Sequence, residues 1–178
     1  MMAHARRPVP EMLIGSVTAG VVRRAQRPVY LCGPRYDSRA HQRIEVLAVC
    51  VDGSKLSEHI LPYASALVKR LGARLQLLQV IEASGSRKPT TLGQTDVMES
   101  AYLNALARRV ESEQALAVDW EVLHGDPADA IVSYLAGSHN TMLAMTTHGR
   151  SGLSQVVAGS VSHEVLHETT CPVAVLRP

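Results

Sequence analysis

Residues 145–176 read MTTHGRSGLSQVVAGSVSHEVLHETTCPVAVL: the end of an apolar strand, a glycine-containing loop, a helix opening at Ser160 and a closing apolar strand. Residues 1–32, MMAHARRPVPEMLIGSVTAGVVRRAQRPVYLC, align on this stretch without a gap at an offset of 144. Nine of the 32 positions are identical: Met1/Met145, His4/His148, Arg6/Arg150, Gly15/Gly159, Ser16/Ser160, Val17/Val161, Val21/Val165, Pro28/Pro172 and Val29/Val173. Roughly two would be expected by chance at average composition. An offset of this size points to duplicated whole domains, because solenoid repeats recur every ~20–50 residues. Residues 1–33 are therefore expected to be the last loop, helix and strand of a first domain, 34–43 a polar linker, and 44–178 one complete domain. The repeat also bears on the apolar run from Met12 to Val22, which follows Arg6-Arg7 as the core of a secretion signal would. That run is too short to span a bilayer, and Arg23-Arg24-Ala25-Gln26-Arg27 stands where a small-residue cleavage site belongs. It reads instead as a helix whose twin lies at 159–169.

From Ile44 onward the pattern alternates strand and helix. IEVLAVCV is a continuous apolar run suited to a strand buried on both faces, ended by Asp52-Gly53-Ser54. A helix is expected over 56–71, with Gly72 as its C-terminal stop, and RLQLLQVI is a second strand. A Gly/Ser/Thr-rich loop at 83–94 leads to a helix at about 95–116, and VDWEVLHG is a third strand. Asp126-Pro127 caps and opens the helix ADAIVSYLAG. TMLAMT at 141–146 is a fourth strand, followed by the loop THGRSGLSQVVAG, a helix from Ser160 to about Glu168 and a last strand over 172–176. Such alternation implies a mostly parallel five-stranded sheet with helices on both faces, with ligands outside the carboxyl ends of its strands.

With 178 residues, 46% apolar and 19% charged, the chain suits one well-buried domain and a remnant. It has no Phe, one Trp and five Tyr, too little aromatic surface for stacking single-stranded bases, and no specific nucleic acid is expected as a partner. The net charge of +2 is uneven: residues 1–43 hold eight Arg against Glu11 and Asp37, and the rest is mildly acidic. This arm reads as a solvated helix and linker, and no membrane association is expected. Cys32, Cys50 and Cys171 lie in apolar contexts without CxxC spacing, as buried thiols in a reducing cytoplasm would.

The loop at 146–160 carries the chemistry. A helix N-terminus offers free N–H groups to an anion, and glycine lets a phosphate approach the backbone. Taken with VCVDGS at 49–54, LLQV at 77–80, HGDPADAI at 124–131, MTTHGRSGLS at 145–154 and GSVSHEVL…CPVAVL at 159–176, the chain resembles the universal stress protein family. The resemblance spans residues 44–178, and 1–32 are similar to the end of a preceding tandem domain. It implies a Rossmann-like five-stranded α/β fold, a cytoplasmic role in stress response, and in one branch ATP binding, with Mg2+, through G-x2-G-x9-G-(S/T). Carried over by position, the phosphate and ribose contacts are Gly149, Arg150, Gly159, Ser160 and Val161, the adenine contacts are Asp52 and Val80, and Thr146 and His148 stand in the same nucleotide-binding loop. Thr146 replaces the first glycine of the pattern, where a side chain crowds the ribose. The alternative is thus a module of the same family that binds no nucleotide and acts by dimerisation or interaction. The family's pairing through its last strand implies either a homodimer or an intrachain pairing of 28–32 with 172–176, which would cover an open edge.

His163-Glu164-Val165-Leu166-His167 matches HExxH, the metalloprotease helix. The extended pattern fails, with Thr170 and Val173 where Gly and His are required, and the repeat twin of this helix carries no such residues. The motif is read as a decoy on a solvated histidine face, and no zinc is expected. No P-loop and no GxSxG elbow occur, no catalytic residue is assigned, and at most slow ATP hydrolysis is expected.

Overall fold

A computed structural model of the chain describes residues 16–82, 92–147 and 160–178. In chain order the elements are α1 (Ser16–Arg24), β1 (Val29–Leu31), β2 (Val46–Cys50), α2 (Lys55–Glu58), α3 (Leu61–Leu71), β3 (Arg74–Ile81), α4 (Leu92–Gln114), β4 (Val118–His124), α5 (Pro127–Leu135), β5 (Thr141–Thr146), α6 (Ser160–Glu168) and β6 (Val173–Leu176). They form a single sheet of six strands ordered β1-β6-β5-β2-β3-β4. The five strands of the expected α/β domain are parallel, and β1 is added antiparallel to β6. At the offset of 144, α1 and α6 coincide residue for residue.

Apolar alternation within the strands builds a core on each face. In β2, Leu47 and Val49 point to one cluster and Ala48 to the other, all fully buried. The first cluster packs Leu61, Ala64 and Val68 of α3 and Leu103, Leu106 and Val110 of α4 against the sheet. The second packs Ile131 and Leu135 of α5, Val165 and Leu166 of α6 and Val22 of α1. A strand buried on both faces needs apolar residues at every position, which is why β2 reads as an unbroken run.

Several boundaries differ from the sequence reading, and three have a local backbone cause. The helix expected over 56–71 is two helices, α2 ending at the cap residue His59 and α3 starting at Leu61. Pro62 has no N–H to return to the Glu58 carbonyl, so a continuous ladder is interrupted there. The helix expected at 95–116 runs over Leu92–Gln114 and stops at Ala115, whose φ of 51° leaves the right-handed region. Gly125, with φ of 123°, ends β4 at His124.

The stretch read as a linker is docked along the amino ends of β6 and β5. Asp37 N–H donates to the Thr170 carbonyl at 3.0 Å, and Asn140 N–H donates to the Ala40 carbonyl at 2.8 Å. Arg35 pairs with Glu168 of α6 at 2.7 Å. No helix among the described residues is long and apolar enough to cross a membrane.

Candidate functional site

The strand order reverses at β2: the chain steps from β2 to β3 and β4 on one side, then returns to β5 and β6 on the other. The carboxyl ends of β2 and β5 thus flank the switch point, where a crevice forms in sheets of this class. Asp52 follows β2 there, and Thr146 ends β5.

The turn after β2 is held by its own side chains. Asp52 Oδ1 accepts from the Ser54 N–H at 3.0 Å and from the Ser54 hydroxyl at 2.6 Å. Ser54 caps α2, its Oγ accepting the Ser57 N–H at 3.2 Å. Ser57, itself buried, donates its hydroxyl to the Ser54 carbonyl at 2.8 Å and accepts the Asp52 N–H at 3.2 Å. Gly53 sits between them at φ 82°, a left-handed position that a β-branched residue would strain. The result is a half-buried carboxylate held in place by its own turn at the carboxyl end of β2.

Val80 lies next to the end of β3, opposite Leu123, with its side chain on the second core cluster. Val161, in the first turn of α6, also packs against that cluster. The side chains of both are therefore partly taken up by the core. Ser160 opens α6 and is exposed. Thr146 is half-buried and paired in register with Leu176 of β6. Asp52, Val80, Thr146, Ser160 and Val161 are thus all at carboxyl strand ends or at the α6 N-terminus. His148, Gly149, Arg150 and Gly159 lie outside the described residues.

A second polar group braces this turn from behind. Tyr102 of α4 donates its hydroxyl to Glu58 Oε1 at 3.0 Å, and the Arg109 guanidinium pairs with Glu58 Oε2. Burial, and then the neighbouring Glu58 charge, push the Tyr102 phenol up, so it stays a donor. The sequence reading missed this brace. Its only signal is that Tyr102 and Arg109 are seven apart, hence on one face of α4, beside the apolar stripe of Leu103, Leu106 and Val110. Glu58→Ala leaves the half-buried Tyr102 hydroxyl without an acceptor and is expected to cost about 1–3 kcal/mol by urea unfolding. A Tyr102→Phe change on that background should then cost almost nothing further; a full additional loss would mean that the two side chains act independently.

Other nucleophile and metal candidates fare differently. Burial pushes the Cys50 thiol up to about 12, so it stands as a neutral thiol beside the crevice rather than as a thiolate. His163 and His167 do not form the solvated face expected of them: both are half-buried, with ring centroids 4.9 Å apart. Burial, and then the neighbouring His167, lower the pKa of His163. Among the described residues no group of three or more His, Cys, Asp or Glu side chains is placed to hold a metal.

The chain matches the model of the universal stress protein family over residues 44–177. It is 30% identical over 175 residues to universal stress protein Rv2005c of Mycobacterium tuberculosis, a match covering 93% of this chain and 56% of that protein. Among solved structures, universal stress protein UspA from Lactobacillus plantarum superposes with a TM-score of 0.66 at 22% identity, covering 76% of this chain and 99% of that one. A universal stress protein in complex with cAMP superposes with a TM-score of 0.56 at 19% identity, covering 76% and 98%.

Proposed function

The chain belongs to the universal stress protein family, and we propose that it is a cytoplasmic stress-response protein that binds an adenine nucleotide, ATP with Mg2+, in the crevice between the ends of β2 and β5. The observation that carries this reading is the pre-set turn of Asp52, Gly53 and Ser54 at the same sheet end as the N-terminus of α6. A carboxylate fixed at one side suits a base or ribose donor. A helix N-terminus at the other suits phosphate, by its free N–H groups and the positive end of its dipole. The adenine would rest on Asp52 and the backbone at Val80, and the phosphates on Gly149, Arg150, Gly159, Ser160 and the Val161 N–H, with Thr146 and His148 alongside. The solved relative that holds cAMP supports an adenine nucleotide as the ligand class. No catalytic residue is assigned, and the bound state rather than turnover is read as the output.

Thr146 supports a second reading. Its side chain stands at the end of β5, where the family pattern has a glycine, and a site closed by it would leave an interaction module without nucleotide. We further read residues 1–33 as the end of a preceding tandem domain, consistent with the coincidence of α1 and α6 and with a relative that is longer than this chain.

Calorimetry with ATP and Mg2+ on the wild type and on Gly159→Val decides between the two readings. Saturable binding in the wild type, weakened at least about a hundredfold in the variant by a side chain at the phosphate approach, is the expected result. Absence of binding in the wild type overturns the nucleotide reading and leaves the interaction module.

A further inference from the structure

The docked stretch 33–43 meets the domain through one buried titratable side chain. His41 is 5% exposed, and its Nδ1 accepts the N–H of Thr141, the first residue of β5, at 3.2 Å. Its Nε2 is buried without a hydrogen-bond partner. A ring that accepts at Nδ1 is neutral and carries its hydrogen on Nε2. The surrounding backbone contacts converge on the same point. Asn140 N–H donates to the Ala40 carbonyl at 2.8 Å, and the Asn140 carbonyl accepts from Glu45 and Val46 at 2.7 and 3.2 Å. Asp37 Oδ1 ties the stretch to itself through the Arg39 N–H at 2.8 Å, and the Tyr36 ring stacks on His41 with centroids 6.4 Å apart.

A second proton has one place to go, Nδ1, the atom already accepting the Thr141 N–H. Protonation turns that acceptor into a donor, so two N–H groups then face each other and Thr141 loses its partner in a buried setting. We propose that His41 is a pH-operated latch: the neutral ring docks residues 33–43 on the amino end of β5, and uptake of a proton at Nδ1 releases them. The charged neighbours act in opposite directions. Asp37, from the docked stretch, favours the cation, whereas His139, from the turn before β5, disfavours it. Burial outweighs Asp37 and the backbone hydrogen bond with Thr141, which both raise it, and holds the ring below its ordinary value of 6.5. Because the native value is depressed, the support His41 gives to docking is complete above pH 6.5 and is lost as pH falls from there through the native midpoint.

Hydrogen exchange on the full chain, read by NMR beside the ring titration of His41, tests the latch. The ring is expected to titrate below 6.5. Between that value and its native midpoint, protection of the Asn140 and Thr141 amides is expected to fall by up to about tenfold per pH unit, the limiting slope of one linked proton. The Leu143 amide, bonded to the Pro172 carbonyl, should stay protected. In His41→Asn, whose Oδ1 stands where Nδ1 does and accepts the same N–H but does not titrate, the fall should disappear. Flat protection across the wild-type titration overturns the latch, and so does a fall that persists in His41→Asn. If the variant does not fold, the wild-type titration decides alone.

Discussion

Replacing Gly33 by alanine is expected to destabilise the protein by about 3 kcal/mol, the upper end of what overpacking costs. A Cβ at this position would lie 1.8 Å from the Leu166 carbonyl oxygen and 3.0 Å from its carbon. Those atoms belong to the backbone of α6, so no side-chain rotation relieves the clash. Either α6 shifts on the buried Val165 and Leu166, or the chain lifts away and gives up the Arg35–Glu168 pair and the Asp37–Thr170 hydrogen bond. For a chain of this size the loss corresponds to a fall in Tm of about 6–12 °C. Gly20 provides the contrast, since nothing lies within 4 Å of a Cβ there. Gly20→Ala in α1 should be neutral or stabilising by up to about 1 kcal/mol. Urea midpoints of the two variants check the pair; equal midpoints would show that the backbone around Gly33 has slack the close approach does not reveal.

The second large effect concerns assembly. A chain starting at Gly33, lacking α1 and β1, is expected to dimerise through β6. The register of the present pair is Val29 with Val175, Tyr30 with Ala174 and Leu31 with Val173. At the offset of 144, Val29, Tyr30 and Leu31 are the counterparts of Val173, Ala174 and Val175. A second copy of β6 placed where β1 now lies would therefore pair Val173 with Val175, Ala174 with Ala174 and Val175 with Val173. That arrangement is two-fold symmetric, and such a patch is complementary to itself. Without β1, β6 also exposes an open edge of backbone donors and acceptors, flanked by Val173 and Val175, which are buried in the whole chain. Sedimentation equilibrium should show a concentration-dependent dimer for the shortened chain and not for the full one. An added Ala174→Cys change should cross-link that dimer on oxidation, because directly opposed residues lie within disulfide reach. A shortened chain that stays monomeric and soluble would show that the β6 edge is protected by something other than β1.

Much of this architecture could be read from residue order, because strands buried on both faces leave unbroken apolar runs and helices leave spaced ones. The two-copy alignment located α1 to within a residue or so of Ser16–Arg24, since it rests on identities rather than on periodicity. The break between α2 and α3 was hidden because Leu56, Ile60, Ala64 and Leu67 keep helical spacing straight across it, while the interruption comes from a missing N–H at Pro62. The docking of 33–43 was hidden for another reason. A polar stretch bound by backbone carbonyls and one histidine carries no apolar pattern, so composition made it a linker. Around the candidate site, the positions of Asp52 and Ser160 at a strand end and a helix start followed from motif, whereas the brace of Glu58 by Tyr102 and Arg109 joins residues far apart in sequence and leaves no local signature. The inward turn of the Val80 and Val161 side chains likewise depends on which cluster each strand or helix face meets.

The pairing of β1 with β6 also sets the order of events while the protein is being made. β1 is synthesised early, yet its partner comes only after everything between Leu31 and Val173 has been translated. At ~5–20 residues per second that wait lasts on the order of ten seconds. Throughout it, Val22, Val29 and Leu31 have none of the β6 surface that later covers them. The strand that caps the sheet is thus the last to close, and until its own β6 is made the waiting β1 is open to pairing with any exposed β6 of a neighbouring copy.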